Sequence, residues 1–253
     1  MRIHHASLSF LMKLAISALC VLALALTFGW RSGSWHFEGL HYFAVLIAAA
    51  SAIYWLCEAI FVLVHRREDR GGSVIEPSLK YALTMCLVVT CTVTHFLLKV
   101  GPFWGYGWDF PFFALHYLIP ALAVADWLLF DRKGLMHGWG PFVWTCPLLI
   151  YLLITELLVA GTSIDLAGDF QISGVSRYPY PLLDVTQIGP EHVLLLVGCS
   201  YAFFTALGYV VFALDRLLST VGRDARAAEA QEEAEAELPI QSPLSAAPRH
   251  FRS

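Results

Sequence analysis

Apolar residues in this chain gather into six long runs, at about 9–30, 40–65, 79–100, 112–131, 141–161 and 190–215. Each is close to the roughly 20 helical residues that cross a hydrocarbon core about 30 Å thick. Lipid offers no partners to backbone N–H and C=O groups, so each run is predicted to be an α-helix that satisfies its own. The fold class is therefore all-α: a polytopic transmembrane bundle of six helices over residues 1–219, followed by a disordered tail over 220–253. Composition agrees, with 58% hydrophobic and 14% charged residues where soluble domains carry roughly 25% charged. The net charge of −4 adds little, because the acids concentrate in the tail. No basic stripe points to a nucleic-acid partner.

Lys and Arg set the expected direction, since they accumulate on the cytoplasmic side. Six crossings place both termini on one side. That side holds Arg2, Lys13, Arg66, Arg67, Arg70, Lys80, Arg132, Lys133, Arg216, Arg223, Arg226, Arg249 and Arg252; the other holds only Arg31, Lys99 and Arg177. Both termini are expected in the cytoplasm. Arg2 and Lys13 ahead of an apolar run also fit a secretory signal peptide. The run Leu14 to Trp30 is longer than a usual signal core, however, and no clear small-x-small cleavage site follows it before the second crossing.

The connections differ in character. RREDRGGSVIEPS, 66–78, is charged and punctuated by Gly71 and Gly72. GPFWGYGWDFP, 101–111, has no Lys or Arg, and its Trp104, Tyr106 and Trp108 suit an outer headgroup belt, with a lid over a site as the alternative. The loop 162–189 is the longest; Pro179 and Pro181 hold the residues before them extended. It is expected to be an ordered segment on the outer mouth of the bundle. Beyond Gly222 the Ala/Glu-rich stretch suits a frayed helix leaving the last crossing, and the Pro/Ser-rich end suits a disordered chain. The six cysteines all fall within predicted crossings, form no CxxC pair, and read as small packing residues.

Ionisable residues inside membrane helices are costly and face a protein interior or cavity. Depth sorts them into two groups. His41, His95, His116 and Glu156, with Glu191 and His192 at the interface, fall near the outer ends of their helices. They form one polar layer contributed by several helices, beneath the aromatic loops. Glu58 and Asp126 fall in the cytoplasmic halves. Asp126 is expected to pair with Arg132 or Lys133 reaching up from below or to cap a neighbouring helix, or else to join Glu58 in a proton path. Pro120 follows His116 by four residues, so the His116 carbonyl loses its usual helical partner and the helix is expected to bend there. Pro147 does the same to Val143.

Two stretches in this setting, HYLIPALAVADWLLFDRKG (116–134) and RYPYPLLDVTQIG (177–189), with Trp144, Pro147 and Tyr151 spaced between them, resemble the bacterial Pr6Pr family of six-helix membrane proteins. The resemblance spans roughly residues 9–219 and implies an inner, cytoplasmic membrane location. That family is distantly similar to the animal androgen-induced membrane proteins, implied to be threonine hydrolases of fatty acid esters of hydroxy fatty acids. The implied histidine corresponds to His116, although the animal spacing to the next proline differs by one residue. Where the family pattern reads Tyr-Phe-Thr, this chain has Tyr42, Phe43 and Ala44. Thr90, Thr92 and Thr94 lie in helix three, with no motif assigning them a role.

A hydroxyl nucleophile is weak until a base takes its proton. The resemblance therefore implies a lipid ester hydrolase-like protein with His116 as base; the outer polar layer sets His41, His95 and Glu156 around the substrate, and Tyr180 and Asp184 are expected to shape the mouth. The alternative is a protein that binds a lipid or small molecule without turnover, which Ala44 favours. A transporter or a metal or haem site ranks third, because no HxxxH or ExxH pair occurs on one helix. Membrane lipids are the expected partners, with no cofactor and no metal, and nothing in the chain sets an oligomeric state.

Overall fold

In the computed structural model the described residues are 5–65, 75–162, 164–167 and 176–236, the stretch from 222 as helix backbone alone. The expectations for Arg2, for the basic positions 66–70 with Gly71 and Gly72, and for the end of the tail lie outside the described residues. Six helices are long and apolar enough to cross a membrane. They are α1 (Ala6–Thr27), α2 (Phe43–Val64), α3 (Pro77–Trp104), α4 (Phe110–Phe130), α5 (Gly140–Thr162) and α6 (Pro190–Val221). The last continues as helix to Ala236. No strand occurs among the described residues. The chain is a multi-pass helical membrane protein.

Local chemistry fixes the helix starts. The Glu76 side chain accepts from Ser78 N at 3.2 Å with Pro77 in the first turn of α3. Asp109 accepts from Phe112 N at 2.9 Å with Pro111 in the first turn of α4. Each cap satisfies a backbone donor that the first helical turn leaves open, and proline has no donor to lose there. Two residues ahead of Pro147 the helix breaks at Thr145, between Gly140–Trp144 and Cys146–Thr162. The Phe142 carbonyl then accepts from Thr145 Oγ1 at 3.0 Å, Cys146 Sγ at 3.4 Å and Tyr201 OH at 3.3 Å. This is how a membrane helix tolerates lost backbone bonds.

α1 packs along α2; α2 packs on α3, α1 and α2 both contact α4, and α4 packs on α3; α5 joins through the contact of its first turns with α3 and α6. One end of the bundle, here the near end, holds the start of α1 and the end of α6. The far end holds the starts of α2, α4 and α6.

Two short π-turns interrupt the helices at the far end. One covers Val93–Leu98, where the Lys99 N–H reaches Thr94 O, five residues back. The other covers Ala114–Leu118, where the Ile119 N–H reaches Ala114 O. The second precedes Pro120, so the disturbance expected from that proline takes the form of a widened turn. Just past the first π-turn comes Gly101, at φ +100°, a conformation that costs glycine little. A Cβ there would stand 2.5 Å from the Phe112 ring.

The described parts of the long connection lie on the far end. Leu166, Tyr178 and Leu183 form a buried cluster with Val159, and the Leu166 N–H donates to Arg177 O at 2.9 Å.

Candidate functional site

Two polar centres occupy opposite halves of the bundle. From Phe43 to Glu58 along α2 is 15 residues, roughly 22 Å at 1.5 Å per residue.

In the far half, two adjacent cavities share Ala44, Thr94, Leu98, His116 and Tyr180. The smaller, about 80 Å³, is walled by α5 and α6 through Leu148, Leu152, Leu196, Val197 and Phe204. The larger, about 260 Å³, lies among α1, α2 and α4 and adds Thr27, Tyr42 and Asp109. Both are mostly apolar with few polar groups, the usual make-up of a small-molecule site.

His116 is held by its own helix. Its Nδ1 lies 2.9 Å from Phe112 O, and its ring stacks on Phe112 with centroids 4.3 Å apart. A carbonyl can only accept, so Nδ1 carries the proton and Nε2 is left with its lone pair. Tyr180 makes edge contacts with Tyr42 at 5.7 Å and Tyr151 at 6.3 Å. Its hydroxyl lies against the backbone N–H groups of Phe43 and Ala44, and burial pushes its phenol pKa up. Those N–H groups belong to the first turn of α2, which has no side-chain cap.

The other expected site residues line neither cavity and have partners of their own. His41 Nδ1 lies 3.1 Å from Leu166 O, and its own carbonyl accepts from Tyr151 OH at 2.8 Å. His95 sits among Phe96, Phe103, Trp104 and Tyr117, with ring centroids at 4.8, 6.1, 5.5 and 6.0 Å. Glu156 Oε2 accepts from Tyr178 OH at 3.1 Å. Asp184 accepts from Ser176 Oγ at 2.7 Å, Thr186 N at 2.9 Å, Thr186 Oγ1 at 2.6 Å and Gln187 N at 3.2 Å. Burial opposes ionisation of Asp184, but these hydrogen bonds outweigh it and hold the carboxyl below the usual carboxylate range. Asp184 therefore caps the short helix Val185–Ile188. Tyr106 and Trp108 project outward and line neither cavity.

The near-half centre is an ion cluster. Lys80 Nζ lies 2.9 Å from Glu58 Oε2, 2.6 Å from Asp126 Oδ2 and 2.7 Å from Asp131 Oδ1. Lys13 Nζ lies 2.7 Å from Asp126 Oδ1 and 3.6 Å from Glu58 Oε2. All five side chains are completely buried. Trp55 Nε1 donates to Asp126 Oδ2 at 3.1 Å, and Tyr54 OH donates to Glu58 Oε1 at 3.0 Å. The structure thus corrects the pairing expected of Asp126: its partners are Lys13 and Lys80, from other helices. Lys133 instead donates to the Trp127 and Asp131 carbonyls. Lys13 and Lys80, counted above as surface charges, are interior.

No protein-family model, curated protein or solved structure matches this chain.

Proposed function

We propose that this protein is a lipid ester hydrolase-like enzyme of a bacterial inner membrane, of the kind the Pr6Pr resemblance implies, with His116 as general base in the far-end cavity. The observation that carries this reading is the setting of His116: Nδ1 is tied to Phe112 O at 2.9 Å, and the ring lines two apolar cavities. A neutral imidazole with a free Nε2 in an apolar chamber suits removal of a proton from a hydroxyl or water beside an acyl ester. The far end is the outer side in this reading. Without Lys13 and Lys80, which are interior, eleven Lys and Arg remain for the cytoplasmic side against three, and this excess supports the same direction.

The test is turnover of long-chain ester substrates by purified protein in mild detergent. His116→Ala is expected to abolish hydrolysis while the protein still runs as a monodisperse species. Undiminished turnover in that variant overturns the role assigned to His116.

Ala44 favours a second reading, in which the cavity binds a lipid without turning it over. Ala44 lines both cavities at the position where the resemblance leads one to expect the nucleophile. A lipid retained through purification, with every ester left intact, supports this alternative; an empty cavity counts against it.

A further inference from the structure

A base without a nucleophile does not complete the hydrolytic site, and the structure offers a hydroxyl in the same cavities. Several hydroxyl side chains border one chamber or the other, but Thr94 and Tyr180 border both, as His116 does. Tyr180 already has its hydroxyl against the Phe43 and Ala44 N–H groups. Thr94 is 3% exposed.

Its neighbours on α3 show why it differs. Thr90 Oγ1 donates to Leu87 O at 2.7 Å and Thr92 Oγ1 to Val88 O at 2.8 Å, the usual way a buried helical hydroxyl is satisfied. The Thr94 hydroxyl has no partner among the described residues. Thr94 sits in the π-turn Val93–Leu98, and His116 in the facing π-turn Ala114–Leu118. Such widened turns are uncommon in helices and frequent at functional sites. Two of them present one free hydroxyl and one free imidazole nitrogen to shared space.

We propose that Thr94 is the nucleophile of this site, with Tyr180 as the oxyanion donor; the inference rests on the hydrolase reading above. Thr94 Oγ attacks the ester carbonyl carbon and forms a C–O bond while its proton passes to His116 Nε2. Charge develops on the carbonyl oxygen. The Tyr180 oxygen already faces backbone donors, so its own O–H is free to donate to that oxyanion. Collapse breaks the ester C–O bond, and the alcohol leaves with the proton held by His116. Water then adds to the acyl-Thr94 carbon and gives a proton to Nε2. The Thr94–acyl bond breaks, Thr94 recovers that proton, and the fatty acid is released. The chambers divide the substrate: the aliphatic one between α5 and α6 takes the acyl chain, and the one with Tyr42 and Asp109 takes the alcohol part.

The experiment is labelling of the full-length protein in mild detergent with a lipid-like fluorophosphonate, followed by peptide mass spectrometry and ester turnover. Wild type, Thr94→Val, Thr94→Ser and His116→Ala are compared. The expected adduct is on Thr94, which wild type reports without any variant. Thr94→Val, nearly isosteric, is expected to lose the adduct and to lower turnover by on the order of 10³-fold. Thr94→Ser is expected to keep the label. An adduct on another residue, or turnover that survives in Thr94→Val but fails in His116→Ala, overturns the role of Thr94 and leaves the hydrolase reading standing. Folded wild-type protein with neither adduct nor turnover overturns both.

Discussion

The buried ion cluster predicts opposite effects for two substitutions that each remove a charged group. Lys80 stands within 2.9 Å of three carboxylates with no exposed surface. Each contact corresponds to about 6 kcal/mol of attraction at an effective dielectric of 20, offset by several kcal/mol to desolvate each ion. Replacing Lys80 with Met removes the attraction and leaves three carboxylates beside Lys13 alone. Breaking a buried pair in this way costs about 3–5 kcal/mol, which corresponds to a fall in apparent Tm of about 10 °C for a chain of this size. Asp131→Asn acts differently. The cluster holds three carboxylates and two ammonium groups, and Asp131 Oδ2 has no hydrogen-bond partner. The amide oxygen still accepts from Lys80, and above about pH 7, where Asp131 is ionised, the surplus negative charge is gone. Its effect is expected to be within about 1 kcal/mol of zero, or stabilising. Cys20 and Cys86 are 0% and 1% exposed, so a thiol-reactive dye, added after the accessible cysteines are blocked, reports unfolding. A Lys80→Met Tm equal to wild type would refute the reasoning. So would an Asp131→Asn loss as large as that of Lys80→Met.

Asp131 also gives a pH dependence. Burial raises its pKa from 3.8 to about 7, so between those values the folded state holds a proton that the unfolded state has released. Its contribution to stability therefore falls as pH rises from about 4 to about 7, and Asp131→Asn should flatten a Tm-against-pH curve there; an unchanged slope would count against it. Gly101→Ala meets both a positive φ and the Phe112 ring, and Phe112 holds His116. Turnover is expected to drop at least about tenfold, reflecting how steeply rate depends on geometry, with a Tm loss of about 1–3 kcal/mol equivalent; wild-type kinetics would show that Phe112 does not position the histidine. Asp184→Ala removes a cap and should cost about 1–2 kcal/mol with kcat unchanged in the folded fraction. A selective loss of kcat would return Asp184 to the site.

The six crossings were legible because a spanning helix must be long and apolar, which composition alone reveals. Their facing was not. Helices apolar all round carry no amphipathic stripe to show which side is interior, so the far-end residues His41, His95, His116 and Glu156 could be matched in depth but not in direction. Only His116, together with Tyr180, borders the shared cavities. Glu58 and Asp126 were visible as costly residues, but Lys13 and Lys80 resembled ordinary basic residues at helix ends, and Asp131 was the last residue of its predicted run. Two deep carboxylates on separate helices demand cations, and that demand was the available signal for the lysines. Pro120 marked one π-turn; nothing in Val93–Leu98 marked the other, so Thr94 stood level with Thr90 and Thr92.

The distribution of the clustered charges along the chain also bears on how the protein enters the bilayer. Helices emerge from the ribosome in order, and a lone charge at mid-membrane is costly to insert. The first hairpin, α1 with α2, brings Lys13 and Glu58, 3.6 Å apart in the finished fold. The second, α3 with α4, brings Lys80 with Asp126 and Asp131. Each pair of helices thus carries its own countercharge before it meets the other. The surplus acid, Asp131, lies just past the last turn of α4, where it can wait at the headgroups until the hairpins dock. Exchanging Lys13 with Glu58 would preserve this pairwise balance, whereas exchanging Lys13 with Asp126 would give the first hairpin two acids and the second two lysines.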